Sequence, residues 1–338
     1  MTRPATSHQD SVMDSPLPTP RDHITAERTR AVLRIQQTLL AGAREALADE
    51  GVQELLHPVI GPVTDPGTRG AKQVHIDYYG HDYTLMTSSI LYKQTSLLSF
   101  DSIFLIAPNV RLEPVETSTT HRHLAEFHQI DVEIGGATRE DAMGVAERLV
   151  RRAVTKVATE CVPLLEVLDR DPATLLAHVA NDFGRRTHTD VVDGLNASGY
   201  AQPNSTEIEW EAEELISRAA ERPFFITDYP TGSRGFYDRV DPQVPTRLLN
   251  FDLIAPEGCG ELCSGSEREF EYDRILTRIR ETGEDPDDYG WYLDVVREGI
   301  PNSAGFGIGL ERLTRWVAGL DAAWQAAAYP KLPGVMSP

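Results

Sequence analysis

Apolar residues fall into two patterns along the chain, one with helical spacing and one of short alternating runs. The first clear pattern covers residues 25–50, where Val32, Ile35 and Leu39 lie on one side of a long amphipathic helix. The preceding residues 1–24 are rich in Ser, Thr and Pro and show no hydrophobic period. Such a composition favours a disordered tail, so we expect the folded domain to cover residues 25–338.

Short apolar and aromatic runs between turn residues predict strands. These runs lie at residues 73–80, 82–86, 102–113, 123–135, 223–230, 234–240 and 248–258. Helical spacing predicts helices at residues 88–100, within an inserted segment at about 139–222, and at residues 266–283 and 309–320. Strands that follow one another closely and helices grouped around them predict an α+β fold, with an antiparallel sheet flanked by helices.

Composition narrows the class of protein. The chain has 338 residues and is 41% hydrophobic, which is enough for a substantial core. We found no apolar run near the roughly 20 residues that span a bilayer and no apolar signal core, so we expect a cytoplasmic protein without a membrane partner. The formal charge of −20 disfavours a broad polyanion-binding surface such as one for nucleic acid. Cys161, Cys259 and Cys263 are expected to be reduced and structural.

The segment from residue 116 to 136 concentrates charged and imidazole side chains. His121, His123 and His128 with Glu126 as a base are the residue types of a zinc site. In an extended chain, however, His121 and His123 share one face, whereas Arg122, Glu126 and His128 share the other. An arginine beside a carboxylate suits a phosphate and its metal ion better than zinc. A solvated hairpin remains the alternative without a ligand.

Two further segments place polar residues beside glycines. Arg111 and Glu113 end the strand before this segment, so they and Arg122 are expected to meet a phosphate and a nucleobase. Glu261 and Ser264, in a turn between a strand and a helix, have the oxygen ligands that Mg²⁺ accepts. Near the C-terminus, Gly305, Gly307 and Gly309 precede a helix with Arg312 in its first turn. Glycines at that position let the backbone approach a flat ligand closely.

In this order, the segments "RLE", "HRHLAEF", "GELCSGSERE" and "GFGIGLERL" resemble motifs two and three of the class II aminoacyl-tRNA synthetase core, after a helix and proline that resemble motif one. The resemblance implies that Arg111 and Arg312 bind the α- and γ-phosphates of ATP, with Glu261 as the third catalytic residue. It places Glu113 at the adenine and Glu261 with Ser264 at Mg²⁺. The remaining ATP-binding residues that it implies are Arg122, His123, Glu126 and Gly309.

The segments "SSILYKQ", "RHLAEF" and "FDLIAPEGCGE" are similar to the aspartyl and asparaginyl branch of that family. This likeness implies an amino-acid site made of Asp65, Ser88, Lys93 and Arg268. Arg268 would receive the substrate side-chain carboxylate, and Lys93 resembles the aspartate-selecting version. Motif one implies a homodimer, because it lies at a two-fold interface in this family.

The chain departs from the branch in two respects. A Ser/Pro-rich tail stands where an anticodon-binding domain precedes motif one, so no anticodon-binding domain is expected, and the usual "QSPQ" is replaced by "TSSI". The C-terminal third is most similar to stand-alone archaeal asparagine-synthetase-related enzymes. We therefore expect an ATP- and Mg²⁺-dependent, AMP-forming ligase that activates aspartate or a close analogue and transfers it to ammonia or a small amine. Aminoacylation of RNA, with tRNA as a less favoured partner, is the alternative, and a non-catalytic regulator is a third hypothesis.

Overall fold

The structure is a computed structural model that describes residues 17–65 and 70–337. Residues 1–16 of the predicted disordered tail lie outside the described residues. The rest of that tail contains a short helix, Pro20–Thr25, which has Thr19 as its N-cap. The Thr19 side chain accepts a hydrogen bond from the Asp22 N–H, which satisfies one of the unpaired amides of the first turn.

The secondary-structure elements follow the predicted order in most of the described chain. The strands are β1 (Gln53–Glu54), β2 (Ile60–Gly61), β3 (His75–Tyr78), β4 (His81–Leu85), β5 (Ser102–Val110), β6 (Glu126–Gly135), β7 (Gly184–Thr187), β8 (Phe224–Thr227), β9 (Asn250–Ala255), β10 (Gly260–Glu267) and β11 (Ser303–Gly309). The helices are α1 (Pro20–Thr25), α2 (Glu27–Asp49), α3 (Ile90–Ser96), α4 (Arg139–Glu160), α5 (Val162–Val167), α6 (Pro172–Val179), α7 (His188–Ala197), α8 (Trp210–Arg218), α9 (Tyr272–Glu281), α10 (Gly290–Glu298) and α11 (Leu310–Ala318).

One large sheet organises the described part of the chain. Its eight strands lie in the order β1-β5-β6-β11-β10-β9-β8-β7. The central pairs are antiparallel, whereas β1 pairs with β5 and β7 pairs with β8 in parallel at the two edges. A separate three-stranded sheet has the order β2-β4-β3. The predicted α+β fold, with an antiparallel-dominated sheet flanked by helices, is confirmed.

The long helix α2 lies against the sheet-covering helix α4, and its apolar side faces the core. Ile35 and Leu39 of α2 are fully buried, as are Leu149 and Val150 of α4, in one apolar cluster. The apolar side of α2 is therefore covered within the same chain. Residues 139–222, which include α4, contain helices α4–α8 and also β7, a strand of the main sheet.

Three boundaries differ from the sequence-based expectation. Residues 260–267, expected as a turn leading into a helix, form β10, and the following helix begins only at Tyr272. Residues 234–240, expected as a strand, make only isolated bridges through Asp238 and Val240. Strand β6 begins at Glu126 rather than His123, because residues 115–120 form a 3-10 turn that ends at a left-handed His121 with φ 60°.

No helix in the ranges 17–65 and 70–337 is both long enough and apolar enough to cross a membrane.

Candidate active site

An open cleft of about 1360 Å³, counting its mouth, lies over the neighbouring strands β6, β11 and β10. Nearly all of the residues that the sequence singled out line it. They are Asp65, Ser88, Lys93, Arg111, Glu113, Arg122, His123, Glu261, Ser264, Arg268, Gly309 and Arg312. The structure thus brings together residues that are more than 240 positions apart in the sequence, as in Asp65 and Arg312.

Among the residues that the family resemblance assigns to ATP or the amino acid, Glu126 is the exception, because it is exposed and does not line the cleft. The expectation that Arg122 and Glu126 share one strand face is wrong. It assumed an extended chain from residue 121, but the left-handed His121 turns the backbone before β6 begins. Arg122 therefore reaches the cleft from the turn. Within β6, Phe127 and Gln129 face the cleft.

A row of alternating charges crosses the floor of the cleft. Arg122 Nη1 lies 2.6 Å from Glu213 Oε1, and its Nη2 lies 3.3 Å from Glu261 Oε2. On the other side of Glu261, Oε1 is 3.3 Å from Arg312 Nη1. Burial opposes the charge of Arg122, but Glu213 and Glu261 outweigh it and raise the pKa of Arg122. Two carboxylates, those of Glu213 and Glu261, therefore form ion pairs with the two guanidinium groups of Arg122 and Arg312.

The positive charge of Arg312 is balanced less completely by nearby carboxylates than that of Arg122. Burial, and then the nearby positive charge of Arg122, lower the pKa of Arg312, and Glu261 offsets these effects only in part. A guanidinium whose cationic form is disfavoured by its surroundings gains from an incoming anion. The surroundings of Arg312 therefore favour the binding of an anion in the cleft.

A β-bulge places the two candidate Mg²⁺ ligands in the same cleft. Glu261 and Ser264 are three residues apart, so regular alternation would direct them to opposite faces of β10. The pairing of β10 with β9 shifts register between Glu261 and Cys263, and such an extra residue re-aims the side chains beyond it. Both Glu261 and Ser264 consequently line the cleft.

The donor chemistry of this pair fits Mg²⁺. A carboxylate and a hydroxyl are hard oxygen ligands, and Mg²⁺ in nucleotide sites takes one or two of them together with phosphate and water oxygens. Guanidinium groups contact both donors: Arg312 and Arg122 each lie 3.3 Å from Glu261, and Arg234 Nη1 donates to Ser264 Oγ at 3.0 Å. Glu261 and Ser264 would hold the ion against a nucleotide phosphate.

A further part of the cleft wall is formed by aromatic and guanidinium groups. Arg111 lies over the Phe127 ring, with its Cζ 5.1 Å from the ring centroid, and its Nε donates to the Thr87 carbonyl at 2.9 Å. At the other wall, the ring of His123 lies 4.8 Å from that of Trp210. Flat faces of this kind suit a purine base.

The opposite end of the cleft is a buried network of ion pairs. Lys93, only 2% exposed, lies 3.0 Å from Asp131 and 3.6 Å from Glu133. Arg268 Nε lies 3.1 Å from Glu133, and its Nη1 lies 3.3 Å from Asp238. Both cations therefore already have carboxylate partners inside the chain. A neutral substrate would therefore not leave Lys93 and Arg268 without counter-charge.

Asp65 and Ser88 close this end from the segment before α3. Asp65 is 4% exposed, and its Oδ2 accepts a hydrogen bond from the Tyr237 hydroxyl at 3.0 Å. Burial, and then the charge of Asp65, raise the pKa of Tyr237, which keeps this phenol protonated as a donor. Ser88 Oγ accepts from the Ile90 N–H at 3.2 Å, at the start of α3. Asp65 therefore places a buried carboxylate at this end of the cleft.

Arg234 is a further buried cation that sequence reasoning missed. It lies 2.6 Å from Asp252 and 2.6 Å from Glu207. Burial raises the pKa of Asp252 to about 7, an effect that Arg234 only partly offsets. Arg234 also donates a hydrogen bond to Ser264. It therefore connects this candidate Mg²⁺ ligand to Asp252 of β9.

The three histidines of the zinc alternative have separate environments. His121 is exposed, and His123 Nδ1 lies 2.5 Å from Thr120 Oγ1. His128 Nδ1 lies 2.9 Å from Glu311 Oε1, and this hydrogen bond raises the pKa of His128. His123 and His128 therefore contact two different local partners, Thr120 and Glu311, and His121 is exposed.

Several cleft residues carried a weak sequence signal. Gln129, Asp131 and Glu133 alternate with apolar Ile130 and Val132 in β6, so a polar face on a buried strand was visible in the sequence. Trp210, Glu213 and Arg234 gave no such signal. Trp210 and Arg234 line the cleft from the inserted segment and from the loop after β8, and Glu213 contacts Arg122 from α8. The positions of these segments depend on tertiary packing.

Comparison with known proteins defines the family. The family model described as tRNA synthetases class II (D, K and N) matches residues 21–333. The chain belongs to the class II tRNA synthetases of this group. The predicted likeness to the aspartyl and asparaginyl branch is confirmed, as is the expectation of an ATP-dependent, AMP-forming ligase.

Individual relatives lie in the asparaginyl part of the branch. The chain is 34% identical over 316 residues to the asparagine–tRNA ligase of Pyrococcus horikoshii, covering 94% of this chain and 71% of that protein. It is 32% identical to the corresponding ligase of Thermoplasma acidophilum, covering 89% and 69%. The crystal structure of the Pyrococcus horikoshii enzyme with asparaginyl-adenylate superimposes with a TM-score of 0.88 at 32% identity, covering 94% of this chain and 72% of that one.

These relatives correct the expected acceptor. Transfer of the activated amino acid to ammonia or a small amine is wrong as the main prediction, because the relatives over nearly the whole chain are named as tRNA ligases. The argument that tRNA is disfavoured is wrong as well. It used the formal charge of −20 of the whole chain, whereas the cleft is lined by as many basic as acidic side chains. The basic residues are Lys93, Arg111, Arg122, Arg234, Arg268 and Arg312, and the acidic residues are Asp65, Glu113, Asp131, Asp238, Glu261 and Glu311.

Proposed function

We propose that the protein is an aminoacyl-tRNA synthetase that activates asparagine with ATP and transfers it to tRNA. The observation that carries the proposal is one cleft with a phosphate-binding end and an amino-acid end. Arg111, Arg312 and the pair Glu261 and Ser264 form the first, and Lys93 with Arg268 forms the second. The relatives named as asparagine–tRNA ligases support the same activity.

The first chemical step needs orientation and charge stabilisation more than proton transfer. A carboxylate oxygen of the amino acid attacks the α-phosphorus of ATP, and the bond to pyrophosphate breaks. Arg111 and Arg312 stabilise the charge that develops on the phosphate oxygens. Mg²⁺ bound by Glu261 and Ser264 would supply further positive charge when present. In the second step a hydroxyl of the tRNA attacks the acyl carbon, and AMP leaves.

The choice of asparagine follows from the charges at the amino-acid end. Lys93 and Arg268 contribute two positive charges, whereas Asp131, Glu133 and Asp238 contribute up to three negative ones. The side-chain carboxylate of an aspartate substrate would enter a site without excess positive charge. Burial of that additional negative charge is unfavourable. A side-chain amide does not meet this penalty and donates hydrogen bonds to carboxylates.

Aspartate is the second candidate amino acid, and a specific observation favours it. Both Lys93 and Arg268 line the cleft, so two basic side chains lie where an acidic side chain could be bound. Exchange of labelled pyrophosphate into ATP separates the candidates, because it reports adenylate formation with each amino acid alone. We expect exchange with asparagine and at least tenfold less with aspartate. The opposite order would assign aspartate.

Exchange also tests the phosphate end. Arg312→Ala removes a charge-assisted contact to the reacting phosphates and should lower the exchange rate by about 100-fold. Arg315→Ala, on the same helix, is the matched control. Its side chain hydrogen-bonds the Leu320 carbonyl at 3.4 Å and lies outside the cleft. Wild-type-like exchange in Arg312→Ala would contradict the assigned role.

We also propose that the protein is a homodimer. With α2 covered inside the chain, the support comes from apolar residues around β1 and α3. Leu56 is 95% exposed, and Leu98 is 53% exposed. Their chain neighbours Leu55 and Leu97 pack in a small apolar cluster under β5. An exposed apolar surface of this kind gains from a partner. A monomeric mass by light scattering at micromolar concentration would contradict the proposal.

A further inference from the structure

Helix α8 of the inserted segment brings a carboxylate into contact with Arg122, a residue that lines the cleft. Glu213 is only 4% exposed. Its Oε1 accepts a hydrogen bond from Arg122 Nη1 at 2.6 Å and also accepts the backbone N–H of Glu261. One oxygen thus contacts both a cleft cation and the backbone of a candidate Mg²⁺ ligand.

The contacts of Arg122 are unequal. Its distance to Glu213 is 2.6 Å, whereas its distance to Glu261 is 3.3 Å. Glu261 is also 3.3 Å from Arg312. The carboxylate that would bind the metal is therefore held loosely by both arginines, and the strong ion pair of Arg122 is directed away from it, towards α8.

The approach of Glu213 depends on a glycine in β10. Gly260 has φ 71°, and a Cβ there would lie 2.6 Å from Glu213 Oε1 and 3.0 Å from Arg122 Nη1. A side chain at this position would be strained by its backbone conformation and would collide with both groups. The close contact of Glu213 with Arg122 and β10 is thus built into the backbone.

We propose that Glu213 is a positioning residue that holds Arg122 and thereby leaves the Glu261 carboxylate available to Mg²⁺ and nucleotide. The inference rests on the ATP site of the proposed function. Arg122 is buried at 7% exposure and needs a counter-charge. Without the charge of Glu213, Glu261 is its remaining ion-pair partner in the described chain, and a tighter Arg122–Glu261 pair competes with the metal.

The test uses Glu213→Gln, which keeps a hydrogen-bond acceptor for the Glu261 N–H but removes the charge. The matched control is Glu214→Gln, the next residue of α8, whose side chain is 49% exposed. The first readout is the Mg²⁺ concentration for half-maximal pyrophosphate exchange. The second is the calorimetric affinity for a non-hydrolysable ATP analogue, measured with and without Mg²⁺.

In Glu213→Gln we expect the half-maximal Mg²⁺ concentration to rise about tenfold, which corresponds to 1.4 kcal/mol. The analogue should lose affinity by a similar factor with Mg²⁺ and by less than about twofold without it, and KM for the amino acid should stay unchanged. Glu213→Asp, which restores the charge, should recover part of the Mg²⁺ response. Glu214→Gln should behave as the wild type.

A purely structural role gives a different result. If Glu213→Gln lowers the melting temperature or kcat while both Mg²⁺ responses stay at the wild-type values, the inference is overturned. Failure of the proposed function is distinguishable, because it appears as absent exchange in the wild type with every amino acid. The analogue-binding measurements then still decide whether Glu213 controls the Mg²⁺-dependent part of nucleotide affinity.

Discussion

Replacement of Lys93 by Met tests the ion-pair network at the amino-acid end of the cleft. Methionine has a similar length and no charge, so the change removes a cation with little change of volume. Lys93 is 2% exposed and lies 3.0 Å from Asp131 and 3.6 Å from Glu133. The variant leaves these two carboxylates in a buried site with one cation fewer.

The expected loss of unfolding free energy follows from the partners that remain for the two carboxylates. Glu133 keeps Arg268 at 3.1 Å and the Ser303 hydroxyl at 2.8 Å, whereas within the described residues Asp131 keeps the Ser89 hydroxyl at 2.8 Å as its side-chain hydrogen-bond donor. Removing one partner of a buried ion pair typically costs about 3–5 kcal/mol. Against a total unfolding free energy of about 5–15 kcal/mol, this is a large loss.

Urea unfolding followed by circular dichroism measures the change. We expect Lys93→Met to lose about 3–5 kcal/mol, and Lys93→Met combined with Asp131→Asn to recover part of it, since the second change removes the uncompensated charge. Lys156→Met is the control, because Lys156 forms surface pairs with Glu45 and Glu160; it should leave the unfolding midpoint nearly unchanged. A loss under about 1 kcal/mol in Lys93→Met would refute the reasoning.

Two further predictions concern packing and pH. Gly305→Ala should destabilise the protein by at least about 1–3 kcal/mol in urea unfolding, because the new Cβ would lie 2.1 Å from Glu133 Oε2 and 2.3 Å from the Val132 carbonyl oxygen. Gly194→Ala is the control and should be neutral or stabilising, because a Cβ there meets nothing within 4 Å. Equal effects of the two changes would contradict the packing argument. The Glu311 hydrogen bond raises the pKa of His128, so its contribution to stability is fully present below the unfolded pKa of about 6.5 and is lost as pH rises through the folded pKa. The stability difference between wild type and His128→Gln should shrink over that window, and a difference that grows with pH would contradict the assigned pair.

The sequence predicted the fold and most of the cleft from two features that short segments contain. These are the spacing of apolar residues and the motifs that resemble a known family. Helical spacing in α2 and alternation in β5 identify elements directly, and the glycines before Arg312 mark a strand that leads into a helix. The segments around Arg111 and Glu261 resemble known motifs, so their place in one cleft followed from the family resemblance rather than from periodicity.

Other parts of the site depend on geometry that a pattern does not contain. The left-handed His121 delays β6 and exposes Glu126, and the bulge in β10 brings Glu261 and Ser264 to one cleft. Glu213 reaches Arg122 across 91 residues of sequence through the packing of α8. The net charge of the chain misdirected the expected acceptor, because it averages over a surface on which the cleft is a small part.

The most direct test of the proposed function is the charging of tRNA by purified protein freed of RNA. The protein is incubated with ATP, Mg²⁺, radiolabelled asparagine and tRNA, and acid-precipitable label is counted. We expect ATP-dependent transfer of asparagine to tRNA, reduced about 100-fold in Arg312→Ala and unchanged in Arg315→Ala. Pyrophosphate exchange with asparagine but no label on tRNA would contradict the proposal that the protein is an aminoacyl-tRNA synthetase.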